Sequence, residues 1–270
     1  MKSLFFMMGA AGLLAFASCS KNGSSNNDQP TNGQAKVQML LTDAPATYDA
    51  IFLDVKSVSI NNSTGDAGWV NYPLDPRFNA PINILDYRNG TVVAMGDPLI
   101  IPAGKIEQIR LILGDNNKVV VDGVEHDLTI PSGSTSGYKI NFHKELAPDG
   151  VYKIWLDFDA ARSVHAAGKS GKYMLKPVVK AFSEETNGQF RGYVKPLEAK
   201  PWLYALKGTD TIGSAIPEAD GFFHFVGLAD GAYALHIDAD STSAYRDTTI
   251  NNINVVFGKV TDMGTITLTK

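Results

Sequence analysis

From Val37 to the end of the chain, apolar and polar residues alternate with a period close to two, the spacing that turns one face of a strand inward and the other outward. Val37, Met39 and Leu41 alternate with Gln38, Leu40 and Thr42, and Ile51, Leu53 and Val55 with Phe52, Asp54 and Lys56. Val58 and Ile60 then take the opposite parity, so a bulge near Ser57 is expected to restore one buried face. Ile109, Leu111 and Leu113 repeat the pattern with Arg110 on the other side. Tyr138, Ile140 and Phe142 predict another strand, Ile154, Leu156 and Phe158 the next, and Tyr173 to Phe182 the last of the set. Between Val119–Val121 and Val124–Leu128, Asp122-Gly123 supplies the positive φ angles of a tight hairpin turn. Pro81 to Met95 breaks the period and reads as a short helical turn or an irregular edge. No amphipathic helix of ordinary length is expected.

Ser183-Glu184-Glu185-Thr186-Asn187 is a polar joint without hydrophobic periodicity, and a domain boundary is placed there. Beyond it Gly192-Tyr193-Val194, Trp202 to Leu206 and Thr211 to Ile216 read as strands. Asp220-Gly221 and Asp230-Gly231 each put a turn before an alternating run, and Ile253, Val255 and Ile266 to Leu268 supply the rest. The expected fold class is therefore all-β, with two β-sandwich domains over 36–183 and 188–270.

The N-terminus follows another pattern. Lys2 precedes an apolar run from Leu4 to Phe16, interrupted by Gly9 and Gly12, that ends in Phe16-Ala17-Ser18-Cys19. It is too short and glycine-rich to span a hydrocarbon core of ~30 Å and has the outline of a signal peptide over 1–18. The residues at its end resemble the lipobox of bacterial lipoproteins, which implies cleavage before Cys19, acylation of its thiol with diacylglycerol and palmitate-type chains, and anchoring in the outer membrane, facing the periplasm or the cell surface. Residues 19–35 carry the lipidated cysteine and a polar tether that lacks the apolar surface to offset its ordering entropy.

Composition narrows the partners. The chain has 270 residues, 44% hydrophobic and 19% charged, with a formal net charge of -4, which argues against nucleic acid, whose binding surfaces are basic stripes. Cys19 is the single cysteine, so no internal disulfide is available to the two cores.

Two family resemblances emerge from the residues. Leu41-Thr42-Asp43-Ala44-Pro45, Tyr48-Asp49, Leu85-Asp86-Tyr87-Arg88-Asn89-Gly90, Ile101-Pro102-Ala103-Gly104, Gln108-Ile109-Arg110-Leu111, Leu156-Asp157-Phe158-Asp159 and Leu175-Lys176-Pro177 are similar to the landmarks of domain-of-unknown-function family 4382. That resemblance covers about 36 to 182 and implies no activity. Gly192-Tyr193-Val194, Asp220-Gly221-Phe222-Phe223, Gly227-Leu228 with Asp230-Gly231-Ala232-Tyr233, and Gly264-Thr265-Ile266-Thr267-Leu268 resemble the carboxypeptidase regulatory-like domain, a transthyretin-like sandwich of carbohydrate-binding-like fold. Such domains are generally not catalytic.

The chemistry-bearing residues give binding leads and no catalytic set. Gly168-Lys169-Ser170 matches the end of a phosphate-binding loop, but Ser163 stands where its first glycine is needed and a strand follows, so a glycine-rich hairpin connection is expected. Asp157 and Asp159 share a strand face and could hold a metal, against the simpler reading of a solvated face with turn-capping aspartates; Asp43, Asp49 and Asp54 could join them in space. The five histidines, His126, His143, His165, His224 and His236, show no zinc spacing, and no cofactor is expected. Trp155, Trp202 and Tyr204, with Asp157, are the candidate ligand-binding residues, because an exposed ring stacks on the apolar face of a sugar; the alternative puts each ring in a core or in the seam between domains. The expectation is a non-enzymatic envelope lipoprotein that binds carbohydrate. The competing expectation is a structural or adhesion component that binds envelope protein partners, and a hydrolase comes third.

Overall fold

The structure, a computed structural model, describes residues 33–62, 68–131, 137–168 and 170–270. The expected signal peptide, Cys19 and the tether up to residue 32 lie outside the described residues, as does Lys169 of the glycine-rich connection.

In the first half the strands are β1 (Gln34–Ala44), β2 (Ala50–Leu53), β3 (Val55–Asn61), β4 (Trp69–Tyr72), β5 (Ile82–Asn83), β6 (Val93–Ala94), β7 (Leu99–Pro102) and β8 (Gly104–Leu113). They continue with β9 (Lys118–Val121), β10 (Val124–Thr129), β11 (Tyr138–Leu146), β12 (Val151–Asp159), a one-turn helix α1 (Ala160–Ser163), β13 (Val164–Ala166), β14 (Tyr173–Leu175) and β15 (Val179–Ser183). The second half adds β16 (Gly188–Lys195), β17 (Trp202–Lys207), β18 (Asp210–Ala215), β19 (Phe222–Leu228), β20 (Gly231–Asp238), β21 (Thr248–Val255) and β22 (Val260–Thr267).

The chain is all-β. Its first half folds into sheets ordered β15-β12-β1-β6 with β7 also on β1, β13-β14-β10-β9-β2-β5, and β11-β8-β3-β4. Their inner faces share one core, to which Val37, Met39, Ile51, Ile60, Ile109, Ile154 and Phe158 contribute fully buried side chains. The second half is a sandwich of β19-β16-β22 against β18-β17-β20-β21 around a separate core that includes Phe190, Leu203, Phe223 and Leu235.

Local chemistry explains several boundaries. Asp54 interrupts the run from Ala50 to Asn61 and divides it between two sheets: its backbone N–H is taken by Asn117 Oδ1 at 2.9 Å and its carbonyl accepts from Gly114 N at 2.7 Å. The register of β3 on β8 shifts between Val55 and Ser57, so Val55, Val58 and Ile60 are all buried despite their change of parity. Each such side chain contributes roughly 1.5–3 kcal/mol of burial, more than an irregular ladder costs. The hairpin of β9 and β10 turns on Asp122 (φ 50°) and Gly123 (φ 75°). Pro81 to Met95 forms two-residue strands around a single 3-10 turn, Ile84–Tyr87, whose Ile84 and Leu85 are buried.

Two expectations are corrected. Residues 173–182 form two strands in different sheets, because Pro177 has no N–H for a ladder and the N–H of Val178 is taken by Ser163 Oγ at 2.9 Å. The tether stops short of residue 35: β1 begins at Gln34, with Ala35 paired to Ile101 and fully buried. On either side of Lys169, β13 and β14 pair antiparallel.

Candidate functional site

β1 and β12 run parallel, with Thr42 opposite Asp157 and Ala44 opposite Asp159, so their C-terminal ends bring Asp43, Asp157 and Asp159 to one place. The second domain closes over this end. Its β18 and β19 contribute Thr211 to Ser214 and His224 to Leu228 to the walls of a crevice of about 360 Å³, which Asp43, Asn89, Gly90, Asp157, Asp159, Arg162 and Lys180 line from the first domain.

Hydrogen bonds and close backbone contacts from both domains fasten the seam. Arg88 is bound to Glu218 through Nε to Oε1 at 3.0 Å and Nη2 to Oε2 at 3.3 Å, and Asn89 Nδ2 donates to Glu218 Oε1 at 2.7 Å and to the Ile216 carbonyl at 3.1 Å. Lys180 Nζ donates to the Ile212 carbonyl at 3.3 Å. The Gly90 backbone sits against the His224 ring, where an added Cβ would lie 2.3 Å from Nδ1, and Gly227 sits against Phe182, where an added Cβ would lie 2.4 Å from the ring.

The carboxyls here are not free surface acids. Burial, then the charge of Asp157, pushes Asp43 well above the usual carboxylate range. Burial raises Asp157 to about 6, against the opposing field of Lys180 and with Asp159 adding to the rise. Asp159 caps α1, accepting from Arg162 N at 2.9 Å. Burial, then the Arg191 charge, lowers His224 to about 4 and keeps its ring neutral.

The expected site residues therefore divide. Ile154, Leu156 and Phe158 are core as anticipated, but the opposite face of β12, exposed at Val151 and Lys153, is covered from Trp155 onward, with Asp157 and Asp159 partly buried. Trp155 is 8% exposed, stacked on Phe182 with ring centroids 5.6 Å apart, and its Nε1 donates to Glu184 Oε2. It belongs to the seam and offers no platform to a ligand. Asp157 and Asp159 line the crevice, and Asp43 joins them. Asp49 instead accepts from Gly123 N at 2.8 Å, and Asp54 pairs with Lys56 at 2.8 Å. Among the described residues no group of three or more His, Cys, Asp or Glu side chains is arranged to hold a metal ion. Asn89, Lys180 and His224 carry no site motif in the sequence; the one local signal is the Asn-Gly pair at 89–90, where Asn89 adopts φ 52°.

Trp202 and Tyr204 form a second feature. They alternate with the fully buried Leu203 and Ala205, so both rings stand on the outward face of β17, half-buried. Trp202 and Tyr204 lie 6.4 Å apart at 19°, and Tyr204 continues onto His236 of β20 at 6.2 Å and 24°. The result is a strip of near-parallel rings with Asp238 opposite Trp202 and Ser214 opposite Tyr204. His236 is oriented by Thr249, its Nδ1 3.0 Å from Oγ1. Ser214 also lines the crevice, so β18 is shared by the strip and the crevice.

These features define an all-β protein with two cores, a polar crevice at their seam and an aromatic strip on the second sandwich. The chain belongs to the family described as Domain of unknown function (DUF4382), which matches residues 34–177. No curated protein matches it. Among solved structures, similarity extends over 87% of this chain to the Bacillus anthracis TIE protein, at 10% identity and a TM-score of 0.23; the chain spans about a third of that protein's length (34%). It extends over 86% to GBS52, the minor pilin of Streptococcus agalactiae, covering 94% of that chain at 13% identity and a TM-score of 0.23. It extends over 89% to a putative adhesin from Bacteroides ovatus, covering 88% of that chain at 12% identity and a TM-score of 0.22. Scores this low carry no shared function.

Proposed function

We propose that this protein is a non-catalytic binding protein of the cell envelope, held at the outer membrane by lipid on Cys19, that captures carbohydrate on the Trp202–Tyr204–His236 face. The observation that carries the reading is the strip itself: three rings on one sheet face, each successive pair within 24° of parallel, flanked by Asp238, Ser214 and Thr249. Flat apolar surface matches the C–H faces of sugar rings, and carboxylate and hydroxyl neighbours bond their hydroxyls. The resemblance of 188–270 to the carboxypeptidase regulatory-like domain supports the same reading.

A glycan-array and polysaccharide-pulldown screen on the chain from Gly33 onward tests it. A reproducible glycan hit supports the proposal. A clean negative on folded protein, together with a concentration-dependent rise in mass on sizing, would favour the competing role as an adhesion or assembly component that binds protein partners.

A further inference from the structure

The crevice between the domains holds polar atoms that the protein leaves unpaired. Asp43 is 4% exposed; its Oδ1 accepts from Ala160 N at 3.2 Å, while Oδ2 has no partner. Asn89 is 6% exposed; its Nδ2 donates to Ile216 and Glu218, while Oδ1 has no partner. His224 Nε2 is unpaired as well. All three side chains line the same crevice, two from the first domain and one from the second. A buried polar group without a partner costs about 1–3 kcal/mol, and native proteins keep few of them.

Charge is unbalanced at the same place. Asp159 has Arg162 at 3.7 Å, Glu218 has Arg88 at 3.0 Å, and Asp157 lies in the field of Lys180. Asp43 is left without a cation of its own: the one positive field acting on it is that of Arg88, which is already committed to Glu218, and both Asp157 and Asp159 oppose its ionisation. The group that would complete the site needs several hydrogens to donate and a positive charge. Asn89 Oδ1 can only accept, and a carboxylate likewise. A hard divalent ion would need six to eight oxygens at about 2.3–2.6 Å, which conflicts with the lack of any metal-holding cluster among the described residues. A primary ammonium presents three donors and one charge in a compact head.

We propose that the crevice is a binding site for a small primary amine, whose ammonium group lies between Asp43 Oδ2 and Asn89 Oδ1 while Thr211 and Ser214 face the rest of the molecule. The site is separate from the aromatic strip and does not depend on carbohydrate capture there. The unpaired atoms are themselves buried, so the ammonium reaches them only with a shift of the side chains that line the crevice. Burial and the neighbouring Asp157 and Asp159 charges disfavour the Asp43 carboxylate, and an ammonium beside it favours that ionised form.

The test is calorimetric titration of the full chain at pH 7 with ethanolamine and with glucosamine, against ethylene glycol and glucose as neutral counterparts. The expected result is saturable binding of at least one amine, ten-fold or more tighter than its neutral counterpart. Asp43→Asn, which keeps size and shape, should weaken the amine ten-fold or more. Should that variant fold poorly, the carboxyl carbon resonance of Asp43 in the unmutated protein provides the second readout, shifting when amine is added and not when its neutral counterpart is added. The proposal is overturned if neither amine binds, if amine and neutral counterpart bind alike, or if the Asp43 resonance does not respond.

Discussion

Arg88 and Glu218 join the two domains through a pair of hydrogen bonds, and Glu218 at the same time accepts from Asn89. The Arg88 bond is the leading cause of the lowered Glu218 acidity range. Both side chains keep about a third of their surface in water, 31% and 38%, so the pair is worth no more than about 1 kcal/mol. Glu218→Gln is expected to destabilise the seam by about that amount and to separate the two cores into distinct calorimetric transitions. Arg88→Ala should do the same, and the double variant should cost less than the sum. A single unchanged transition in all three would show that the clamp does not couple the domains.

Gly90 has φ 75°, and a Cβ added there would lie 2.3 Å from His224 Nδ1. Gly90→Ala meets both obstacles, a left-handed backbone and a clash with a buried ring, and is expected to cost about 2 kcal/mol or more in chemical denaturation. Gly123→Ala, at the same φ of 75° but with open space around it, should cost about 1 kcal/mol. The difference between the two measures the tightness of the seam.

Asp157 and His224 pull stability in opposite directions with pH. Asp157 titrates near 6 when folded and near 3.8 when unfolded, so the folded state holds the extra proton and stability is lost as pH rises through that window. His224 titrates near 4 when folded and near 6.5 when unfolded, so its contribution is full above 6.5 and is lost as pH falls towards 4. Relative to the unmutated protein, Asp157→Asn should therefore gain stability between pH 4 and pH 7, on the order of 2–3 kcal/mol. His224→Gln should gain by a similar amount in the opposite direction, between pH 7 and pH 4. Denaturation curves at the two pH values decide the signs, and parallel profiles for all three proteins would exclude the assignment.

Trp155→Ala removes a ring stacked on Phe182 and a bond to Glu184, and is expected to cost about 3 kcal/mol. Glycan affinity should be unaffected once folding is corrected for, since the ring is 8% exposed.

The sequence was most informative where a single strand face decides the outcome. Val37, Met39, Ile154 and Phe158 are core as their alternation required, and the parity break at Ser57 appears as a register shift. Turn chemistry at Asp122-Gly123 was equally readable, because few other residues adopt both positive φ angles. What escaped was long-range. Alternation places Trp155 and Asp157 opposite the core but does not say that a second domain covers that face. The parallel pairing of β1 with β12, separated by more than a hundred residues, is what brings Asp43 to Asp157, and no local pattern encodes it. Trp202 and Tyr204 were legible as a pair; their extension to His236 depends on the register of β17 on β20.

The measurement that bears most directly on the proposed function is the affinity of the chain for its best glycan before and after Trp202→Ala and Tyr204→Ala, with melting temperature recorded alongside. Stacking on the strip predicts a ten-fold or greater loss in each variant with the fold intact, and a tryptophan emission change on glycan binding that Trp202→Ala abolishes. Unaltered glycan affinity in both folded variants would contradict it and remove the strip from the binding surface.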